Sequence, residues 1–369
     1  MWINPTPRGR NHSLDGLRAI AIILTFEVHF FGGYLATFRG GNPDKIPLSD
    51  FPGFLDKVMY WLYHSHHGVS IFFLLSGFLI STISQRPRFS YLNFVRNRIT
   101  RVYPAFFLAL IICLAGRPYI GMAFPDARLL IANLFFLNAI PSLGIPGIVL
   151  NNVTWSLFYE MVFYLLFPAV LLFGRWANMP AIGSTVIGGI IFAYGPRLFG
   201  LDLAPFVFLF AGAVIGCLRR DQIESVADSF PDAAILFIYL AVTSLFTLSY
   251  IDASTFTWLF SGAIIVILCK TVSGRGLLAR ALSWRPLAWL GVISYSFYLL
   301  HSVSIVIFFR ARRYLMIPGA GDVIDVAILG LISFIAAAGL SYVSYMLVER
   351  FYFTKRNPED PAPSQGNAR

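Results

Sequence analysis

Arg18 and His29 stand eleven positions apart in one apolar run, Leu14-Asp15-Gly16-Leu17-Arg18-Ala19-Ile20-Ala21 continuing to His29. On an α-helix eleven residues make three turns plus about 20° and rise roughly 16 Å, so guanidinium and imidazole share a face. Thr25 falls on that face, Asp15 lies near it and Glu27 points elsewhere. Ionisable side chains inside an apolar segment are costly and by default mark function. An imidazole placed there can take a proton from a hydroxyl near neutral pH, which is what acyl transfer to an alcohol requires. The plainer alternative is that Arg18 reaches lipid phosphates, Asp15 caps the helix and His29 bonds a neighbouring carbonyl.

Other polar positions recur at helical spacing. Arg98 and Arg101 are three apart on one face, where the segment beginning at 101 would enter the membrane. Their planar forks suit phosphate oxygens; equally, they fit the excess of basic residues on the cytoplasmic side of membrane proteins, as does Arg96. Glu160 lies about a turn into its apolar run, expected at the outer end, with Ser156 and Tyr164 on its face. Its carboxylate could orient His29, bind an acceptor hydroxyl or pair with an arginine. Ser294, Tyr298 and His301 line one face of a later run and would form either part of a site or a hydrogen-bond network between helices. Trp155 is placed either as an interface anchor or as a sugar platform. His64, His66 and His67 crowd a turn without an accompanying Cys or carboxylate pattern and read as solvated. No metal site is expected, and Cys113, Cys217 and Cys269 read as packing residues.

The elements that must hold these groups are membrane helices. The chain is 57% hydrophobic and only 12% charged, against about 25% charged in soluble domains. Runs near 16–36, 62–84, 101–117, 155–174, 182–200, 203–218, 232–250, 255–271, 288–309 and 325–349 approach the roughly 20 residues a crossing needs. Basic clusters order them: Arg8 and Arg10; Arg86 to Arg101; Arg219 and Arg220; Lys270, Arg275, Arg280 and Arg285; Arg350, Lys355 and Arg356. All fall on one side if 128–140 is re-entrant or interfacial and the other ten runs cross. The expectation is an all-α, polytopic transmembrane bundle of about ten spans with both termini cytoplasmic. Arg310, Arg312 and Arg313 resist it, falling outside. Residues 1–352 would form one membrane domain and 353–369 a disordered cytoplasmic tail. Gly212 and Gly216 read as a helix-packing notch. The net charge of +10 is explained by topology, and no nucleic-acid partner is expected.

Several blocks, in order, resemble the acyltransferase-3 family of membrane-bound O-acyltransferases: Leu14 to Ala19 with His29; Gly68-Val69-Ser70-Ile71-Phe72-Phe73-Leu74-Leu75-Ser76-Gly77-Phe78-Leu79-Ile80; Arg98-Ile99-Thr100-Arg101-Val102-Tyr103-Pro104; Trp155-Ser156-Leu157-Phe158-Tyr159-Glu160; Ser294 to His301; and Val348-Glu349-Arg350. Many members carry an acidic residue where Ser70 stands, a second Glu where Met161 stands and Pro where Phe351 stands. The Tyr159-Glu160-Met161 form looks more like members that decorate exopolysaccharides. The resemblance implies transfer of an acyl group, acetyl first among them, from cytoplasmic acyl-coenzyme A. The acceptor would be a hydroxyl of an extracytoplasmic or lipid-linked glycan. It implies His29 as general base or acyl carrier, Glu160 in the catalytic site, and Arg18, Arg98 and Arg101 on the donor phosphates. Asp15, Trp155, Tyr298 and His301 would support the site or bind substrate.

Acyl-CoA would be a co-substrate, with no cofactor bound permanently. Membrane lipid, the glycan acceptor and a polysaccharide assembly complex are the expected partners, in a bacterial inner membrane. Succinyl transfer is the nearest variant. A glycan transporter or flippase and a non-catalytic accessory subunit are the rival classes; no paired inverted repeat supports the transporter.

Overall fold

The computed structural model describes residues 11–351, except 66, 141–142, 145–150, 152, 174–196, 199–200, 316 and 318–320. Fourteen α-helices account for nearly all of the regular structure among these residues. They are α1 (His12–Phe38), α2 (Phe54–His64), α3 (Gly68–Ser84), α4 (Tyr91–Gly116), α5 (Ala127–Leu134), α6 (Trp155–Phe173) and α7 (Ala204–Cys217). There follow α8 (Arg220–Asp228), α9 (Asp232–Thr247), α10 (Ala253–Ser273), α11 (Gly276–Leu282), α12 (Arg285–Val292), α13 (Ser294–Leu315) and α14 (Asp322–Ser344), which runs into a π-turn over Tyr345–Glu349. A two-residue antiparallel pair, Arg197–Leu198 with Leu201–Asp202, is the exception to the all-helical pattern.

Among the described residues, six helical stretches are long and apolar enough to cross a bilayer by length and composition: His12–Phe38, Phe54–Ser84, Tyr91–Gly116, Ala253–Ser273, Ser294–Leu315 and Asp322–Glu349. A seventh arises if α8 and α9, bent by 74° at their junction, count as one span. The protein is therefore an all-helical integral membrane protein. Helix α7 has 14 residues and falls short. The expected run 182–200 and the tail from 353 lie largely or wholly outside the described residues. Helix α5, in the segment read as re-entrant, has eight residues, about 12 Å of rise, too short to cross the roughly 30 Å hydrocarbon core.

Helix α1 is the hub, packing on α2, α3 and α10 to α13. Its start is set by Asn11, whose side-chain oxygen accepts from the backbone N–H groups of Ser13 and Leu14. The Leu14-Asp15-Gly16-Leu17-Arg18 block then has a packing logic. A Cβ on Gly16 would lie 1.9 Å from the Leu282 carbonyl oxygen of α11, and one on Gly291 of α12 would lie 1.8 Å from the Asp15 carbonyl. Only glycine allows these approaches, which pin the first turns of α1. Helices α3 and α7 cross just as tightly, at Gly77 against Leu209 and Gly212 against Leu74, with carbonyl distances of 1.9 Å to the ideal Cβ. Gly216 meets Phe78 and Ser81, so the expected packing notch is there and its partner is α3.

Two expectations about charge need correcting. Helix α4 begins at Tyr91, ten residues before the anticipated start of its run at 101. Arg98 is thus inside the helix and 8% exposed. Lys270 is likewise no loop residue: it lies in the last turn of α10, 6% exposed, and pairs with Asp232 at 2.7 Å. Its charge fastens α10 to α9.

Candidate active site

A cavity of about 90 Å³ opens where α1, α3, α4, α6 and α13 meet. Its wall includes Arg18, Arg98, Arg101, Glu160 and Tyr298, together with Ser76, Ser156, Tyr164, Ser294 and Tyr295. Arg18, Arg98, Arg101, Glu160 and Tyr298 thus converge from four helices, α1, α4, α6 and α13. Glu160 was expected at the outer end of its helix and the two arginines at a cytoplasmic entrance. One chamber holds all three, because α4 starts early and carries Arg98 inward.

Each charged group is held by a partner. The Arg18 guanidinium pairs with buried Asp15 at 2.8 Å, one turn back on α1. Arg98 lies over the rings of Phe94 at 5.0 Å and Tyr164 at 5.2 Å, which fixes its plane. The Glu160 carboxylate accepts hydrogen bonds from the Ser76 hydroxyl and, at 3.3 Å, from the Tyr164 hydroxyl; Arg101 and Arg98 act on its charge. A positive wall of three guanidiniums beside one carboxylate can take an anionic, phosphate-bearing ligand and keep a hydroxyl-bearing one oriented.

Tyr298 separates this chamber from the histidines. Its hydroxyl donates to the Val153 carbonyl at 2.7 Å and therefore accepts from Ser156 at 2.8 Å. With its one proton committed, the Tyr298 hydroxyl is held in place. About one turn further along α13, the His301 ring lies 6.2 Å from that of Tyr298 and 5.1 Å from that of His29. The His29 and His301 imidazoles thus form a pair outside the cavity lining, with Tyr298 of that lining beside His301. Asn151 reinforces this part of α13, its amide donating to the Leu299 carbonyl at 2.6 Å.

Not every candidate joins the site. Trp155 lies outside the cavity lining, 36% exposed, with its ring against Phe73 and Tyr159. His67 does not occupy a solvated turn: its ring packs 4.5 Å from Phe256 and 4.7 Å from Phe260. His64 lies against Tyr60 at 4.1 Å, and His66 is outside the described residues. Cys269 is buried, while Cys113 and Cys217 are half-buried; all three are free thiols. Among the described residues no three His, Cys, Asp or Glu side chains converge to hold a metal.

Some site groups carried no role on sequence grounds. Ser76 sits in a motif block, but its partner Glu160 is 84 residues away. Tyr295 lines the cavity and donates to the Val102 carbonyl at 2.9 Å, beside Arg101. The next residue, Ser296, donates at 2.5 Å to Glu349, which is 5% exposed and held by the π-turn. Such turns are frequent near functional sites, and this one braces the wall that carries Tyr295. The repeated motif blocks were the only signal for Ser76 and Glu349.

Comparison with known proteins agrees with the geometry. Residues 11–346 match the acyltransferase-3 model, described as an acyltransferase domain. The chain is 28% identical over 294 residues to the exopolysaccharide production protein ExoZ of Rhizobium meliloti, covering 77% of this chain and 88% of ExoZ. It is 27% identical to BcsY of Komagataeibacter xylinus, described as a membrane-bound transacylase, over 93% of this chain and 83% of that protein. It is 25% identical to the peptidoglycan O-acetyltransferase OatA of Listeria monocytogenes over 78% of this chain, and spans about half of that longer relative, 48%. No solved structure matches. With the family model covering residues 11–346, the chain belongs to the acyltransferase-3 family and is an acyltransferase of groups other than aminoacyl.

Proposed function

We propose that this protein is an O-acyltransferase that moves an acyl group, acetyl first among candidates, from cytoplasmic acyl-CoA to a hydroxyl of an extracytoplasmic or lipid-linked glycan such as an exopolysaccharide. The observation that carries the reading is the order of groups along α1 and α13. Arg18, Arg98 and Arg101 line one chamber, and the His29–His301 pair lies outside its lining, with Tyr298 beside His301. The rise of roughly 16 Å from Arg18 to His29 suits a long pantetheine arm with phosphates at one end and a thioester at the other.

In the reaction, His29 takes the proton of the acceptor hydroxyl as its oxygen attacks the thioester carbonyl. The tetrahedral adduct collapses, the carbon–sulfur bond breaks and the thiolate leaves. The imidazolium returns its proton to that sulfur, giving an O-acyl ester and free coenzyme A. Glu160 would hold donor or acceptor polar groups within the arginine-lined chamber.

The reading goes with ten spans and both termini cytoplasmic, in a bacterial inner membrane. Arg312, one of the three arginines that resist this topology, is partly neutralised by Asp325 at 3.5 Å and lies over the Phe38 ring at 4.7 Å. That lessens its weight as a cytoplasmic signal. ExoZ and OatA, by their names, act in exopolysaccharide production and peptidoglycan O-acetylation, and they support a glycan acceptor here. The test is mass spectrometry of surface glycans from cells with and without the protein, paired with coenzyme A release by the purified protein given acetyl-CoA and that glycan. Loss of O-acyl groups and acceptor-dependent thiol release are expected. Unchanged glycans and no thiol release would contradict the reading.

A further inference from the structure

A second opening lies at the other end of α1, where the chain turns from Phe38 toward α2. It is a groove of about 500 Å³ lined by Phe38, Arg39, Asp50, Phe51 and Asp56, among others. Arg39 is part of its wall. One guanidinium nitrogen lies 3.1 Å from Asp56 of α2 and another 2.6 Å from Asp322 at the start of α14. Asp56 is 6% exposed yet borders the groove, so a charged carboxylate is held at the wall. Asp50 is exposed and accepts only from its neighbour Ser49 among the bonds the structure shows, at 2.8 Å. Next to the groove, Arg312 lies over the outer face of Phe38.

We infer that this groove is the acceptor subsite, and that it takes a hydroxyl-rich glycan chain. The inference rests on the acyl-transfer reading above. Carboxylates accept hydrogen bonds from vicinal hydroxyls, and a guanidinium donates to ring and hydroxyl oxygens. Both chemistries are present here. Position argues the same way. Phe38 is nine residues past His29, a rise of about 13 Å, while Arg18 is eleven residues before it. The donor chamber and the groove thus lie on opposite sides of His29 along one helix. A glycan anchored in the groove presents a neighbouring unit's hydroxyl at His29, facing the thioester that arrives from the other side. An ordinary ion-pair brace between α1, α2 and α14 would explain Arg39, Asp56 and Asp322, but it gives no role to Asp50 or to an open groove at that place.

The experiment uses full-length protein in detergent with two probes: acetyl-CoA, and surface polysaccharide from cells lacking the protein, stripped of O-acyl groups by mild base. Asp50→Asn removes a charge from an exposed side chain, and Arg39→Lys keeps the positive charge while losing the fork. Both are expected to raise the acceptor KM roughly tenfold and weaken binding of fluorescently labelled polysaccharide to a similar degree, with the donor KM unmoved. An unchanged acceptor KM and unchanged binding in Asp50→Asn would overturn the groove while leaving transfer by the wild type intact. Failure of the wild type to acylate the polysaccharide would instead count against the acyl-transfer reading. In that case the binding arm still decides the groove: labelled polysaccharide that binds wild type and Asp50→Asn equally overturns it.

Discussion

The imidazole rings of His29 on α1 and His301 on α13 lie 5.1 Å apart, inclined by 41°. His301 Nδ1 is 3.0 Å from the Phe297 carbonyl, which can only accept, so in the neutral ring Nδ1 carries the proton and Nε2 presents its lone pair. That nitrogen is buried, with no hydrogen-bond partner among the described residues. A second basic nitrogen beside His29 can orient it or share the proton it takes. His301→Phe keeps the aromatic packing on Phe26 and Phe297 but deletes both nitrogens. We expect kcat to fall at least about tenfold with the donor KM unchanged and normal amounts of protein in the membrane. Full turnover in this variant would reduce His301 to a packing residue.

Arg98 and Arg101 separate donor binding from membrane orientation. If their forks grip phosphates, Arg98→Lys and Arg101→Lys raise the donor KM by roughly tenfold although charge and topology persist. Lysine at 98 also gives up the stacking on Phe94 and Tyr164. Steady-state kinetics with acetyl-CoA checks this, with reporter fusions after residues 90 and 220 confirming a cytoplasmic location for both. Unmoved donor KM values would leave the arginines as topological signals.

Glu160 can be tested without disturbing its shape. Glu160→Gln keeps the shape and one oxygen, which can accept from Ser76 or Tyr164 in place of the two carboxylate oxygens that now accept one bond each, and it removes the charge set among the arginines. A fall in kcat of at least about tenfold is expected if the carboxylate orients a reacting group. Ser76→Ala, which leaves the Tyr164 bond in place, is expected to have a smaller effect in the same direction. Wild-type kcat in Glu160→Gln would remove its charge from the mechanism.

The α3–α7 crossing yields a prediction of stability alone. Ideal Cβ atoms on Gly77 and Gly212 meet backbone carbonyls at 1.9 Å, and backbone cannot swing aside as a side chain can. Gly77→Ala and Gly212→Ala should each destabilise the protein by about 1–3 kcal/mol. Gly262→Ala, where nothing lies within 4 Å of the added Cβ, should be nearly neutral. Thermal unfolding in detergent distinguishes them; equal melting of all three would contradict the close crossing.

What could be read in the sequence was what one helix determines by itself. The eleven-residue spacing of Arg18 and His29 and the three-residue spacing of Arg98 and Arg101 follow from helical pitch, and the structure keeps both pairs on long helices. The Gly212–Gly216 notch was legible for the same reason, but Gly77, its counterpart, was not. Pairings across helices leave no trace in periodicity: His29 with His301, Ser76 with Glu160, and Ser296 with Glu349 depend on how helices dock. The number of spans was legible only coarsely. Hydropathy counts apolar residues and does not see the 74° bend between α8 and α9 or the short α7. The groove beside Arg39 escaped because its residues come from a polar turn, where single types and spacings repeat no pattern.

The central claim is that His29 performs the proton transfer of an acyl transfer. Its most direct measurement is single-turnover transfer of radiolabelled acetyl from acetyl-CoA to stripped surface polysaccharide, by purified wild type and His29→Ala at equal folded concentration. The account predicts a loss of roughly a hundredfold or more in the transfer rate, with donor affinity retained because Arg18, Arg98 and Arg101 are untouched. Transfer by His29→Ala at close to the wild-type rate would contradict it.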